Sequence, residues 1–152
     1  MRSFLLVRPV LAGALLALSG CGSTEPVAPN PSESINVIVG PTRLQAPGES
    51  VPIVSVTGGV NGVTLRVTTG GTCLMLVRAG VSRTVGTLDV VSHVSPNPAA
   101  LCAAIYRGPE VFEYQAAIGQ VVEGAYRVRV FQGANDEAPR LIGSAAVIVT
   151  RP

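Results

Sequence analysis

Few side chains in this sequence are of the types that catalyse reactions, and their spacing keeps them apart. The 152 residues include one histidine and nine acids. His93 directly follows Ser92, and successive strand residues point to opposite faces, so they do not form the couple of a hydrolase. Glu110 and Glu113 likewise fall on opposite faces of one predicted strand, which argues against a glycosidase pair. Residues 135–137 lack the spaced acids of a calcium loop. We therefore expect no catalytic residue, no metal and no cofactor.

The first 20 residues are typical of a cleaved secretory signal. Arg2 and Arg8 flank the start of an apolar stretch, Val10 to Leu18. This stretch is too short to cross a bilayer, which takes about 20 residues of helix. Once residues 1–20 are removed, nine arginines balance nine acids. The net charge is then zero, and we expect no binding to nucleic acid.

The end of this segment carries a recognisable motif. Leu18-Ser19-Gly20-Cys21 resembles the lipobox of bacterial lipoproteins, with leucine at −3 and small residues before the cysteine. The resemblance implies cleavage before Cys21, a diacylglyceride on its sulfur and a fatty acid such as palmitate on its amino group. Two or three acyl chains hold a protein firmly on a bilayer. Because Gly22 and not aspartate follows, the resemblance implies the outer membrane. The alternative is an ordinary signal peptide with an incidental cysteine.

A tether and one domain are predicted to follow the signal. Residues 21–33 contain three prolines and few apolar side chains. Such a composition does not bury enough surface to order itself, so these residues are expected to form a flexible tether. The remaining residues, 34–152, are expected to form a single domain.

Two cysteines remain in that domain, Cys73 and Cys102. An even pair in an oxidising compartment is typical of a structural disulfide, which here would close a loop of about 30 residues and contribute roughly 3–4 kcal/mol. Two buried free thiols are the alternative. A metal site would need more ligands than these cysteines and His93 supply.

The domain is predicted to be all-β, because valine, isoleucine and threonine make up 39 of residues 21–152 and favour strands. Apolar and polar side chains alternate, as in Val63, Leu65 and Val67. Glycine and proline turns separate the runs and give about eight or nine short strands, which predicts a two-layer antiparallel sandwich, with a closed barrel as the alternative. The predicted strands are 35–40, 51–57, 62–69, 72–79, 84–94, 101–107, 111–118, 124–132 and 141–150.

A weaker resemblance covers about residues 62–132. Gly71-Thr72-Cys73, Leu101-Cys102-Ala103 and the run from Glu123 to Val130 follow one another as in small secreted immunoglobulin-like β-sandwich modules. In these modules a tyrosine placed like Tyr126 bonds back to the preceding turn. The chain departs from them in having no tryptophan to pack on a disulfide. The resemblance implies a fold and no activity.

These patterns favour a non-catalytic binding or structural module, anchored to the cell envelope through the lipid on Cys21. A candidate contact for an envelope partner is formed by Arg127, Arg129 and Phe131, because arginine and aromatic residues are enriched at interfaces. Phe112 and Tyr114 are interpreted as core. The alternatives are a protease inhibitor acting through the loop 95–99, a small hydrolase, and a carrier with an apolar interior that holds a small ligand.

Overall fold

The computed structural model of the chain describes residues 26–71, 73–96, 109–134 and 137–152. This part of the protein is built of strands, which confirms the all-β prediction, and it holds no helix long and apolar enough to cross a membrane. The strands are β1 (Glu33–Ser34), β2 (Val37–Val39), β3 (Arg43–Leu44), β4 (Ile53–Gly59), β5 (Gly62–Gly70), β6 (Leu74–Thr84), β7 (Thr87–Pro96), β8 (Glu110–Gly119), β9 (Gly124–Ala134) and β10 (Arg140–Val149).

Two sheets pack face to face, which confirms the two-layer sandwich. Sheet A has the order β1-β6-β7-β9-β10, and sheet B has the order β2-β8-β5-β4, with β3 also pairing with β8. All neighbours are antiparallel except β7 and β9, which are parallel with Val91 opposite Phe131. Since β8 lies in sheet B, the chain leaves sheet A after β7 and returns to it as β9. The similarity to immunoglobulin-like modules stays a prediction from the sequence.

The alternation read from the sequence produces the core. In β5, Val63, Leu65 and Val67 are buried while Thr64 and Arg66 face solvent. The same period of two in both sheets buries one face of each strand between the layers. Phe112 and Tyr114 lie in this core, as predicted. Its buried residues are Val63, Leu65, Val67, Val81, Leu88, Val90, Val94, Phe112, Tyr114, Ala116, Ile118, Val121, Val128, Val130, Val147 and Val149.

A buried polar chain joins the two sheets inside this core. The Tyr114 hydroxyl of sheet B donates to Ser92 Oγ at 2.9 Å, and Ser92 Oγ donates to the Phe131 carbonyl at 3.1 Å. Burial raises the pKa of Tyr114 to about 12, although the hydrogen bond to Ser92 opposes the rise. Both hydroxyls are therefore satisfied away from water.

Both open sides of the sandwich are covered. On one side, residues 33–44 cross from sheet A to sheet B, first as β1 beside β6 and then as β2 and β3 beside β8. On the other side β4 meets β10, and a Cβ at Gly58 would collide with the backbone carbonyl of Ile148. Covered or very short edges prevent uncontrolled pairing with other chains.

The strand boundaries differ from prediction chiefly at the β6–β7 hairpin. A break was expected between residues 79 and 84, but the strand continues through Gly80 and turns at Val85-Gly86. The strand has a glycine at position 80 because a Cβ there would lie 2.6 Å from Pro31 Cβ. Glycine thus marks a close approach of another segment here and not a turn. The predicted strand 101–107 lies outside the described residues.

Candidate functional site

Residues 26–34 are here called the strap: its first part, up to Pro31, lies against the outer face of sheet A, and its last residues join the edge of that sheet as β1 beside β6. The Ser32 amide donates to the Val81 carbonyl at 3.1 Å, and just beyond the strap the Ile35 amide donates to Ala79 at 3.2 Å. Pro31 packs over Gly80. The last residues of the stretch that the sequence assigns to the tether are thus bonded to the domain.

A groove of about 420 Å³ lies between the strap and sheet A. Its chemistry is mixed, because prolines and a valine stand beside an imidazole and a guanidinium. The residues that set this character are Pro29, Pro31, Arg78, Val91, His93 and Pro139. The hydroxyls of Ser32 and Ser34 and the carboxylate of Glu33 also belong to residues that line it.

His93, the chain's one histidine, contributes its side chain to this groove. Its pKa is lowered, first by burial and second by the positive charge of Arg78, which is its partner in the β6–β7 register. At neutral pH the imidazole is therefore uncharged. Ser92 points the other way, into the core, where it is bonded to Tyr114 and Phe131. The two residues therefore do not form a nucleophile–base couple, as the alternation predicts.

The predicted contact residues Arg127, Arg129 and Phe131 share the outer face of sheet A, but they do not form an open patch. Phe131 is fully buried. The guanidinium of Arg129 lies 5.6 Å from the centre of its ring, and the neighbouring Val91 is 1% exposed. Only Arg127 is exposed. Phe131 thus belongs to a small second core on the outside of sheet A, which corrects the expectation that it contacts a partner.

Arg129 is held by a buried carboxylate. Its Nε and Nη2 donate to Asp89 Oδ1 and Oδ2 at 2.6 and 2.7 Å, while Asp89 is 3% exposed. The hydrogen bond to Asp89 raises the pKa of Arg129. A two-point pair of this kind fixes the orientation of the arginine along the sheet. The sequence pointed to Arg129 but not to Asp89, because the parallel β7–β9 pairing that joins them is not legible from alternation.

The acidic residues considered for catalysis are engaged elsewhere. Glu113 Oε1 lies 3.3 Å from Arg66 Nε, and Glu110 Oε2 accepts a bond from the Cys73 amide at 3.4 Å. In the part of the chain that the structure describes, no three histidine, cysteine or acidic side chains lie together as a metal site requires. Asp136 of the candidate calcium loop is outside that part.

Two of the three cysteines, Cys21 and Cys102, lie outside the described residues. Cys73 lies at the turn between β5 and β6 with a φ of 57°. This left-handed conformation is uncommon for a residue with a side chain. The lipid on Cys21 and the disulfide between Cys73 and Cys102 therefore stay predictions.

One surface was not predicted from the sequence and lies at the end of the sandwich away from the β9–β10 turn. Three neighbouring turns there each expose a valine: Val60 is 60%, Val85 104% and Val122 70% exposed. The turns are linked, because the Val121 amide donates to Asn61 at 3.1 Å and Arg83 donates to Gln120 at 3.3 Å. We call this surface the valine end. Exposed apolar side chains gathered at one place are typical of contact sites.

Comparison with known proteins adds no relative to this description. No family model, no curated protein and no solved structure matches the chain. The function is therefore argued from the chain's own residues and their arrangement.

Proposed function

We propose that the protein is a lipid-anchored module of the cell envelope that binds a partner without catalysing a reaction. The observation that carries the proposal is the spacing Leu18-Ser19-Gly20-Cys21 after a short apolar stretch. Gly22, which follows the cysteine, favours the outer membrane.

The arrangement of charged side chains supports a non-catalytic role. Asp89 is neutralised by Arg129, Glu113 lies beside Arg66, and Glu49 is held by Arg43. A general acid or base needs freedom to exchange its proton with a substrate. These carboxylates are instead paired with arginines, and only the Asp89–Arg129 pair involves a buried carboxylate.

The valine end is the surface that we propose for partner contact. Capture of a strand by an open sheet edge is less favoured, because β4 and β10 cover each other and residues 33–44 lie along β6 and β8. Burying one valine side chain contributes about 1.5–3 kcal/mol. Three of them on adjacent turns would contribute the apolar part of an interface, which needs further polar contacts around it.

Membrane fractionation tests the anchor. Cys21→Ser is expected to move the protein from the membrane fraction to the soluble fraction, because it removes the acceptor of the acyl chains. Ser19→Ala is the matched control and keeps a small residue at the same place in the motif. Mass spectrometry of the unaltered protein is expected to show residues 21–152 with an acyl adduct. An unprocessed, unmodified chain contradicts the proposal.

Site-specific photo-crosslinking in intact cells tests the contact surface. A photoreactive amino acid at position 85 or 122 is expected to give a discrete adduct with an envelope protein. The same group at position 64, on the exposed outer face of sheet B, serves as the control. Adducts of equal yield from all three positions would show that the valine end is not a specific contact.

A further inference from the structure

The position of Pro26 limits how far the domain stands from the lipid. Five residues separate Cys21 from Pro26, and a fully extended chain spans about 3.3–3.6 Å per residue. Whatever path they take, Pro26 therefore lies within roughly 18 Å of Cys21. Pro26 and Val27 line a second groove with Pro139 and Arg140, next to the β9–β10 turn. The end of the sandwich that bears this turn is thus held close to the lipid.

The exposed side chains at that end suit the surface of a bilayer. Val27 of the strap is 89% exposed, and Met75 on the outer face of β6 is 39% exposed. Arg78 and Arg140 are exposed there as well, with Glu137 as an exposed acid. Apolar side chains enter the interface between head groups and acyl chains, while arginines reach the phosphates with their long stems.

The valine end lies at the other end of the same strands. β7 and β9 each run from the valine end to the β9–β10 turn and comprise 10 and 11 residues. At about 3.3 Å per residue, the two ends are roughly 30 Å apart. A domain held by one end therefore presents the other to the space beyond the membrane.

We propose that the end of the sandwich that carries Val27, Arg78 and Arg140, with Met75 at the same end of β6, rests on the bilayer that holds the acyl chains of Cys21. The domain then stands with its strands pointing away from the membrane and carries the valine end outward. This inference rests on the proposed lipid anchor and adds to it a fixed orientation. The strap is the element that sets the orientation, because Pro26 and Val27 line a groove with Pro139 and Arg140 and the strap is hydrogen-bonded to sheet A from Ser32 onward.

Tryptophan fluorescence gives a direct test, since the chain contains no tryptophan. Val27→Trp and Val85→Trp each place a single indole at an exposed position, one at either end of the sandwich. The lipidated proteins are reconstituted into vesicles of phosphatidylcholine and phosphatidylglycerol that contain lipids with a nitroxide near the head group. Val122→Trp provides a second, independent position at the valine end.

The indole at position 27 is expected to lose about half its emission to the nitroxide and to shift to the blue, as interfacial side chains lie about 5–10 Å deep. The indoles at positions 85 and 122 are expected to keep their emission. Equal quenching at both ends, or quenching at neither end, overturns the orientation.

Flotation of the vesicles and the intact mass separate the two proposals. A protein that floats and carries the acyl adduct but shows the wrong quenching pattern refutes the orientation alone. A protein that carries no adduct refutes the anchor and with it the orientation. Arg140→Glu in the Val27→Trp protein is expected to lower the quenching, because the arginine's attraction to the anionic lipid is replaced by repulsion.

Discussion

Replacing Arg129 tests whether its ion pair with Asp89, on the outer face of sheet A, stabilises the folded protein. Arg129→Met removes two charge-assisted hydrogen bonds to Asp89, each contributing about 1.5–3 kcal/mol, and leaves a carboxylate that is 3% exposed. Breaking a fully buried pair costs about 3–5 kcal/mol. The side chain of Arg129 is 31% exposed, so in the variant water partly replaces its hydrogen bonds to Asp89. We expect a loss of about 2–3 kcal/mol in the free energy of unfolding.

Arg127→Met is the matched control. Arg127 lies on the same face of β9 but is exposed, so its replacement is expected to change stability by less than about 0.5 kcal/mol. Urea denaturation followed by circular dichroism measures both variants. Asp89→Asn combined with Arg129→Met is expected to cost less than the two single changes together, because the unpaired charge is gone. Equal losses for Arg127→Met and Arg129→Met would refute this account of the pair.

Three further predictions follow from other contacts. Gly80→Ala is expected to destabilise the protein by about 1–3 kcal/mol in urea by crowding the strap, whereas Gly119→Ala has open space around it and serves as control. Because the pKa of Tyr114 is raised to about 12, its contribution to stability is complete below pH 10 and declines as the pH rises through 12. In a variant with Tyr106→Phe and Tyr126→Phe, which leaves Tyr114 as the one tyrosine, tyrosinate absorbance is expected to rise around pH 12, and a rise near pH 10 while the protein is still folded would contradict this. The hydrogen bond from Arg43 lowers the pKa of Glu49 to about 2, so the pair is kept above pH 4.5 and lost as the pH falls through 2. Arg43→Gln is expected to return the carboxyl titration, measured by NMR, towards 4.5.

The sequence was sufficient for most of the strands. Val63, Leu65 and Val67 alternate with polar residues and pack as the period of two predicts. A turn was also found within the predicted segment 58–62, where Gly59 pairs with Gly62 across the two residues between them. The residues of one short segment determine such features, so they can be predicted without knowing the partner strand.

Long-range packing accounts for what the sequence did not reveal. The predicted strand ended before Gly80, because no nearby residue indicates that Pro31, almost 50 residues earlier, packs against this glycine. Phe131 was placed on the correct face but expected to be exposed. An outward face is polar only when solvent covers it, and here Arg129 and a second buried residue, Val91, lie beside the ring.

The parallel pairing of β7 with β9 has a consequence for how the chain reaches this structure. Val91 pairs with Phe131, which lies 40 positions later in the sequence. β1 likewise pairs with β6, from which four strands separate it. Such non-local topologies fold slowly, in milliseconds to seconds. Sheet B has all its strands once β8 has emerged, whereas sheet A needs β9 and β10, the last two strands of the chain. In the exported, lipid-anchored protein that we propose, sheet A is therefore completed last, after translocation of the whole domain.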